Sequence, residues 1–149
     1  MTEHTATPTS VPAPKRAALR SRSGLARAQR IVVKVGSSSL TTVAGGISDE
    51  ALTALADVLA ARRAAGTEII LVSSGAISAG LAPLGLAKRP AQLSSQQAAA
   101  SVGQGLLMAR YTEAFGRHGV TVSQVLLTVE DLMRRTTHAN ANRAMERLL

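Results

Sequence analysis

Two short runs in this 149-residue sequence combine residue types suited to handling anions. Lys34-Val35-Gly36-Ser37-Ser38-Ser39 places one lysine ahead of a glycine and three serines, and Ser73-Ser74-Gly75-Ala76-Ile77-Ser78-Ala79-Gly80 places two serines ahead of a glycine. Lysine supplies a compact positive charge, glycine lets a ligand approach the backbone, and serine adds hydroxyl donors. That mixture fits a phosphate or a carboxylate. The same residues also build ordinary turns, and a lysine near a strand end is often simply solvated. By themselves the residues leave these two readings level.

The two common nucleotide fingerprints are missing. A Walker A loop needs its lysine after the glycines, whereas Lys34 precedes Gly36 by two positions. Gly103-Gln104-Gly105 falls inside a helical stretch with no strand turn before it, so it is no dinucleotide fingerprint. His118 sits in a helix-to-strand turn and His138 has no partner at metal-ligand spacing, so both read as surface histidines and no metal-binding residue is assigned. With no cysteine, a disulfide framework and a Cys-ligated zinc site are both excluded.

Elements that would position the two runs follow from the hydropathy pattern. Ile31-Val32-Val33-Lys34-Val35 and Glu68-Ile69-Ile70-Leu71-Val72-Ser73 are short and β-branched or aliphatic, the signature of buried parallel strands. Between them, Ser48 offers an N-cap, Asp49 and Glu50 fill a first turn, and Leu52, Leu55, Val58 and Leu59 recur at helical spacing until Gly66. A strand, a helix and a second strand make a right-handed βαβ crossover. Ligands of open parallel sheets bind beyond the carboxyl ends of the strands, where both runs lie. The second run also opens directly onto a helix N-terminus, whose free N–H groups favour anions.

Beyond Pro83 and Gly85 the pattern predicts a long helix over 94–117, with Val102, Leu106, Met108 and Phe115 as packing candidates and Gly116 and Gly119 to end it. A third strand is expected over 120–127, followed by helical composition from Glu130 onward. Alternating strands and helices imply an α/β fold, a three-layer sandwich with a mostly parallel sheet.

The first 29 residues mix Thr, Pro, Ser, Ala and Arg without apolar periodicity and read as a disordered basic extension ahead of a domain over 30–149. No apolar run follows that would make the extension a secretory signal. Much of the net charge of +8 sits there: residues 1–30 carry six basic side chains against one acidic, and the remainder eleven against eight. One Tyr, one Phe and no Trp leave little for bases to stack on, which argues against nucleic acid as a partner. No apolar run approaches the roughly 20 residues of a membrane-spanning helix, so no membrane partner is expected either.

Four blocks, in this order and spacing, resemble the amino acid kinase family. They are Val33-Lys34-Val35-Gly36-Ser37-Ser38, then Val72-Ser73-Ser74-Gly75-Ala76-Ile77-Ser78-Ala79-Gly80, then Gln96-Gln97-Ala98 with Ala100-Ser101-Val102-Gly103-Gln104, then Gln124-Val125-Leu126-Leu127-Thr128. The first two blocks resemble the wider family, and the Ser78-Ala79-Gly80 end of the second with the last two narrows the likeness to its glutamate 5-kinase branch. The likeness runs over 31–149. It implies transfer of the γ-phosphoryl group of ATP, with Mg²⁺, to the side-chain carboxylate of L-glutamate, the first step of proline biosynthesis in the cytoplasm, by a homo-oligomer.

In that likeness Lys34 is the catalytic, ATP-binding lysine, Gly36 and Ser37 contact the phosphates, and Ser74, Gly75 and Ala76 receive the substrate carboxylate. Gln96, Gln97 and Gln104 either line the site or are polar-face residues. A complete member continues into Asn-Glu-Asn-Asp and Gly-Asp-Asn-Asp types of loop, which this sequence does not contain. The expectation is therefore a C-terminally incomplete domain, about its first half, inactive by itself. Two alternatives stay open: a noncatalytic fragment, or a related amino acid kinase with another acceptor.

Overall fold

In the computed structural model the described residues are 22–42 and 46–149. The expected extension lies outside them up to Ser21, and Arg22–Arg27 form a short 3-10 helix just ahead of the first strand. Strand β1 spans Arg30–Val35 and β2 Glu68–Ser73. They pair in parallel, with Val33 opposite Leu71, Lys34 opposite Val72 and Val35 opposite Ser73.

The crossover is helix α1, Asp49–Ala64. Ser48 caps it, its Oγ accepting from the Ala51 N–H at 3.2 Å, an interaction that contributes about 1 kcal/mol. Gly66 turns the chain out of α1 at a φ of 87°, a conformation that favours glycine. After β2 come α2, Ala76–Leu81, the long α3, Leu93–Gly116, and two C-terminal helices, α4 over Val129–Met133 and α5 over Arg135–Leu148.

Side chains alternate across the strands, so the sheet has two unlike faces. Val33, Val35, Ile69 and Leu71 pack towards a core made by Leu40, Leu52, Ala56 and Leu59 with Leu107, Tyr111, Ala114 and Phe115 of α3. Val32, Lys34 and Val72 lie on the other face, where Val32 is 64% exposed. The fold is mixed α/β on a two-stranded parallel sheet, with one face covered by helices.

Three expectations are corrected here. Residues 120–127 form no strand: Val120 and Val122 pack on the core, but the segment joins no ladder with β1 or β2. Its apolar pattern sets which side chains bury, while a strand also needs a neighbour's N–H and C=O groups. On α1, Val58 faces out and Ala56 and Ala60 are buried instead. On α3, Val102 and Leu106 are exposed, and the buried stripe is Ala99, Gly103, Leu107 and Tyr111, spaced one helical turn apart. Small residues carry that stripe because α2 lies directly against it.

The expected helical composition beyond Glu130 resolves into two helices. Thr128 starts α4 with a reciprocal capping box: its Oγ accepts from the Asp131 N–H, while the Asp131 carboxylate accepts from the Thr128 N–H at 2.8 Å. That bond holds the Asp131 carboxyl below its ordinary pKa. Helix α5 buries no side chain and is tied to the sheet through Arg30, whose guanidinium bridges Glu146 at 2.7 Å and Glu68 at 2.6 Å.

Candidate functional site

Parallel register brings the two anion-suited runs together, because Val35 and Ser73 end their strands side by side. The first run leaves β1 through Gly36 and turns at once into a 3-10 helix, Ser37–Ser39, whose Ser37 carbonyl accepts from Thr41 Oγ1 at 3.0 Å. Gly36 is exposed, and its φ of −75° is open to any residue. No atom would lie within 4 Å of a Cβ added there. Neither local conformation nor packing therefore asks for glycine.

Lys34 sits on the uncovered face of the sheet, exposed, in an open groove it shares with Val32, Leu25 and Arg62. The β-branched run around this lysine reads as a buried strand. In the fold Lys34 is exposed, and Val32 beside it on this face is 64% exposed.

The second run is built differently. Ser74 is exposed and its Oγ makes a long contact of 3.5 Å to the Val35 carbonyl, which links the two loops. Gly75 is buried and stands at the N-cap of α2 without a side-chain cap, so it offers no acceptor to the first N–H groups of α2, from Ala76 on. Beneath it runs α3. A Cβ at Gly75 would sit 3.7 Å from Leu107 Cδ2. A Cβ at Gly80 would strike the Ala99 carbonyl, and one at Gly103 would strike the Ala76 carbonyl and the Gly80 N–H. Backbone therefore meets backbone, and only glycine fits at these two positions.

Tyr111 completes this support. The residue is 5% exposed and its hydroxyl donates to Ser73 Oγ at 3.1 Å. Burial pushes the phenol above its ordinary pKa, and the Ser73 hydroxyl, which can turn to donate to the phenolate, pulls the other way. Sequence reasoning missed Tyr111, Gly80 and Gly103 as supporting residues. For Gly103 and Tyr111 the one signal was the four-residue spacing of Ala99, Gly103, Leu107 and Tyr111.

Of the three glutamines, Gln96 is held at the start of α3. Gln96 Nε2 donates to the Pro90 carbonyl at 2.9 Å and its Oε1 accepts from Arg89, which fastens the turn before α3. His118 Nε2 lies 2.8 Å from Asp57 Oδ1 across α1 and α3. Among the described residues no group of three His, Asp or Glu side chains could hold a metal.

The family model for the amino acid kinase family matches residues 29–149. The chain belongs to the amino acid kinase family. Within it, the chain is 63% identical over 130 residues to the glutamate 5-kinase of Thermobifida fusca, an overlap of 87% of this chain and 34% of the relative. The glutamate 5-kinase of Streptomyces coelicolor is 62% identical over 128 residues, with 86% and 34% covered. That of Bifidobacterium longum subsp. infantis is 55% identical over 125 residues, with 84% and 33% covered. The chain thus spans about a third of the length of the curated relatives it matches. As an amino acid kinase family member it presents both of its glycine-serine loops at one end of its parallel sheet.

Proposed function

We propose that these two loops are the nucleotide and acceptor halves of a site that moves the γ-phosphoryl group of ATP to the side-chain carboxylate of L-glutamate. The observation that carries this is the junction of Lys34, Gly36 and Ser37 with Ser74, Gly75 and Ala76 at neighbouring parallel strand ends. The names of the relatives support the same reading. The proposed setting is the cytoplasm, and no described helix is long and apolar enough to cross a membrane. The whole protein would be a homo-oligomer whose kinase domain forms the fuller three-layer sandwich.

Phosphoryl transfer spreads negative charge over the moving group, so the protein's part is positioning and charge stabilisation. Lys34 supplies the positive charge, and the Gly36 backbone with the Ser37 hydroxyl meets the phosphates. Gly36 suits that task because nothing in the fold occupies the space its missing side chain leaves. The uncapped N–H groups at the start of α2, with Ser74 Oγ, receive the acceptor carboxylate. Magnesium is a poorer fit to these loops, which offer hydroxyl and N–H groups but no carboxylate.

A hydroxamate assay with ATP on the complete gene product tests the reading, with aspartate and acetylglutamate as competing acceptors. Glutamate turnover well above both supports it. Preference for another acceptor would keep the kinase and replace the substrate. In the same assay the 149-residue chain by itself is expected to be inactive, since Lys34 holds one exposed side of a ligand and positioning needs both.

A further inference from the structure

Tyr111 carries the one phenol of this sequence, and the packing of its ring does not require the hydroxyl. The ring lies beside Phe115, centroids 6.3 Å apart, in the core shared by α1, α3 and the sheet. A phenylalanine would occupy the same space without burying a polar group, which is unfavourable unless that group is bonded. Here it is bonded, to Ser73 Oγ at 3.1 Å.

Ser73 is the last residue of β2, and the next residue is the loop serine, Ser74. The α3 helix supports this loop at successive turns: Leu107 lies against Gly75, and Tyr111, four residues on, holds Ser73. The Leu107 contact is apolar and has no preferred direction. A hydrogen bond is directional and fixes rotation as well as distance.

We propose that Tyr111 is a positioning residue for the acceptor loop, its hydroxyl holding Ser73 and thereby setting where Ser74 and Gly75 enter the site. What the loop binds rests on the kinase reading above; the coupling of Tyr111 to the loop rests on geometry alone.

With a single tyrosine and no tryptophan, ultraviolet tyrosinate absorbance of the 149-residue chain reads Tyr111 alone. Burial raises its titration midpoint, and the Ser73 hydroxyl, turning to donate to the phenolate, offsets part of that rise. Ser73→Ala should therefore move the midpoint further up, and an unchanged midpoint would overturn the coupling. In the complete gene product, Tyr111→Phe should raise the KM for L-glutamate about tenfold, the scale of one lost hydrogen bond, with kcat held within about twofold. No change, or equal losses in kcat and in the KM values for both substrates, would overturn the positioning role. A wild-type product that does not turn over glutamate would sink the kinase reading instead, and the titration would still decide the coupling.

Discussion

A methyl group added at Gly36 would meet open space, and the same group at Gly80 would meet the carbonyl of Ala99. Gly36 belongs to the loop after β1, and Gly80 to α2, the helix that the loop after β2 opens onto. One loop is exposed and loosely held; the other is braced from below by α3 at Ala99, Gly103, Leu107 and Tyr111. Glycine therefore has two physical meanings in this chain. At Gly80 and Gly103 it is demanded by helix packing, and at Gly36 the fold makes no demand, which agrees with the ligand approach proposed for it. The first loop should be sensitive in function and the second in stability.

The largest expected effect is on the first loop. Lys34→Ala in the complete gene product should lower kcat/KM at least about a hundredfold, the scale for losing one group that stabilises transition-state charge. Its melting temperature should hold, since the side chain is exposed. Lys34→Arg should also fail, because a planar fork does not replace a compact charge. Near-normal turnover by either variant would remove Lys34 from the chemistry.

Next is the helix packing beneath the second loop: in α3, Gly103→Ala drives a methyl group into the Ala76 carbonyl and the Gly80 N–H of α2. Overpacking against backbone cannot be relieved by a rotamer change, so a loss of about 3 kcal/mol in unfolding free energy is expected. Chemical denaturation with circular dichroism measures it. A variant as stable as the parent would show that α2 and α3 are free to move apart, and the contrast between the loops would disappear.

These differences were legible in the sequence only in part. The β2 boundaries, the Ser48 cap and the parallel pairing followed from local pattern, because alternation, capping and crossover length are properties of short segments. Lys34, Gly36 and Ser74 stood out by residue type. Gly80 and Gly103 were read as motif letters, because a close backbone approach between two helices depends on how they cross. Ranking α3 by side-chain bulk selected Val102 and Leu106, which are exposed, over Ala99 and Gly103, which are buried. The strand expected at 120–127 failed for a related reason: apolar composition showed that Val120 and Val122 would bury, while ladder bonding depends on a neighbour that no local pattern reveals.

The smallest expected effect on stability is the sharpest test of the comparison. Gly36→Ala adds the same methyl group as Gly103→Ala, at a φ of −75° and a ψ of 157° that alanine adopts without strain, and into space with no atom within 4 Å. Unfolding free energy should change by no more than about 0.5 kcal/mol, the ordinary range for a surface substitution. Alanine also narrows the backbone freedom of the unfolded chain, so any small change should favour the folded state. If phosphate groups approach this backbone, however, the methyl stands in their way. The KM for ATP in the complete gene product should then rise about tenfold, the effect of losing roughly one hydrogen bond to the ligand, while the KM for L-glutamate stays near the parent value. A variant that is stable and binds ATP normally would mean that Gly36 is an ordinary turn residue, and the nucleotide would have to meet β1 elsewhere along the groove beside Lys34 and Val32.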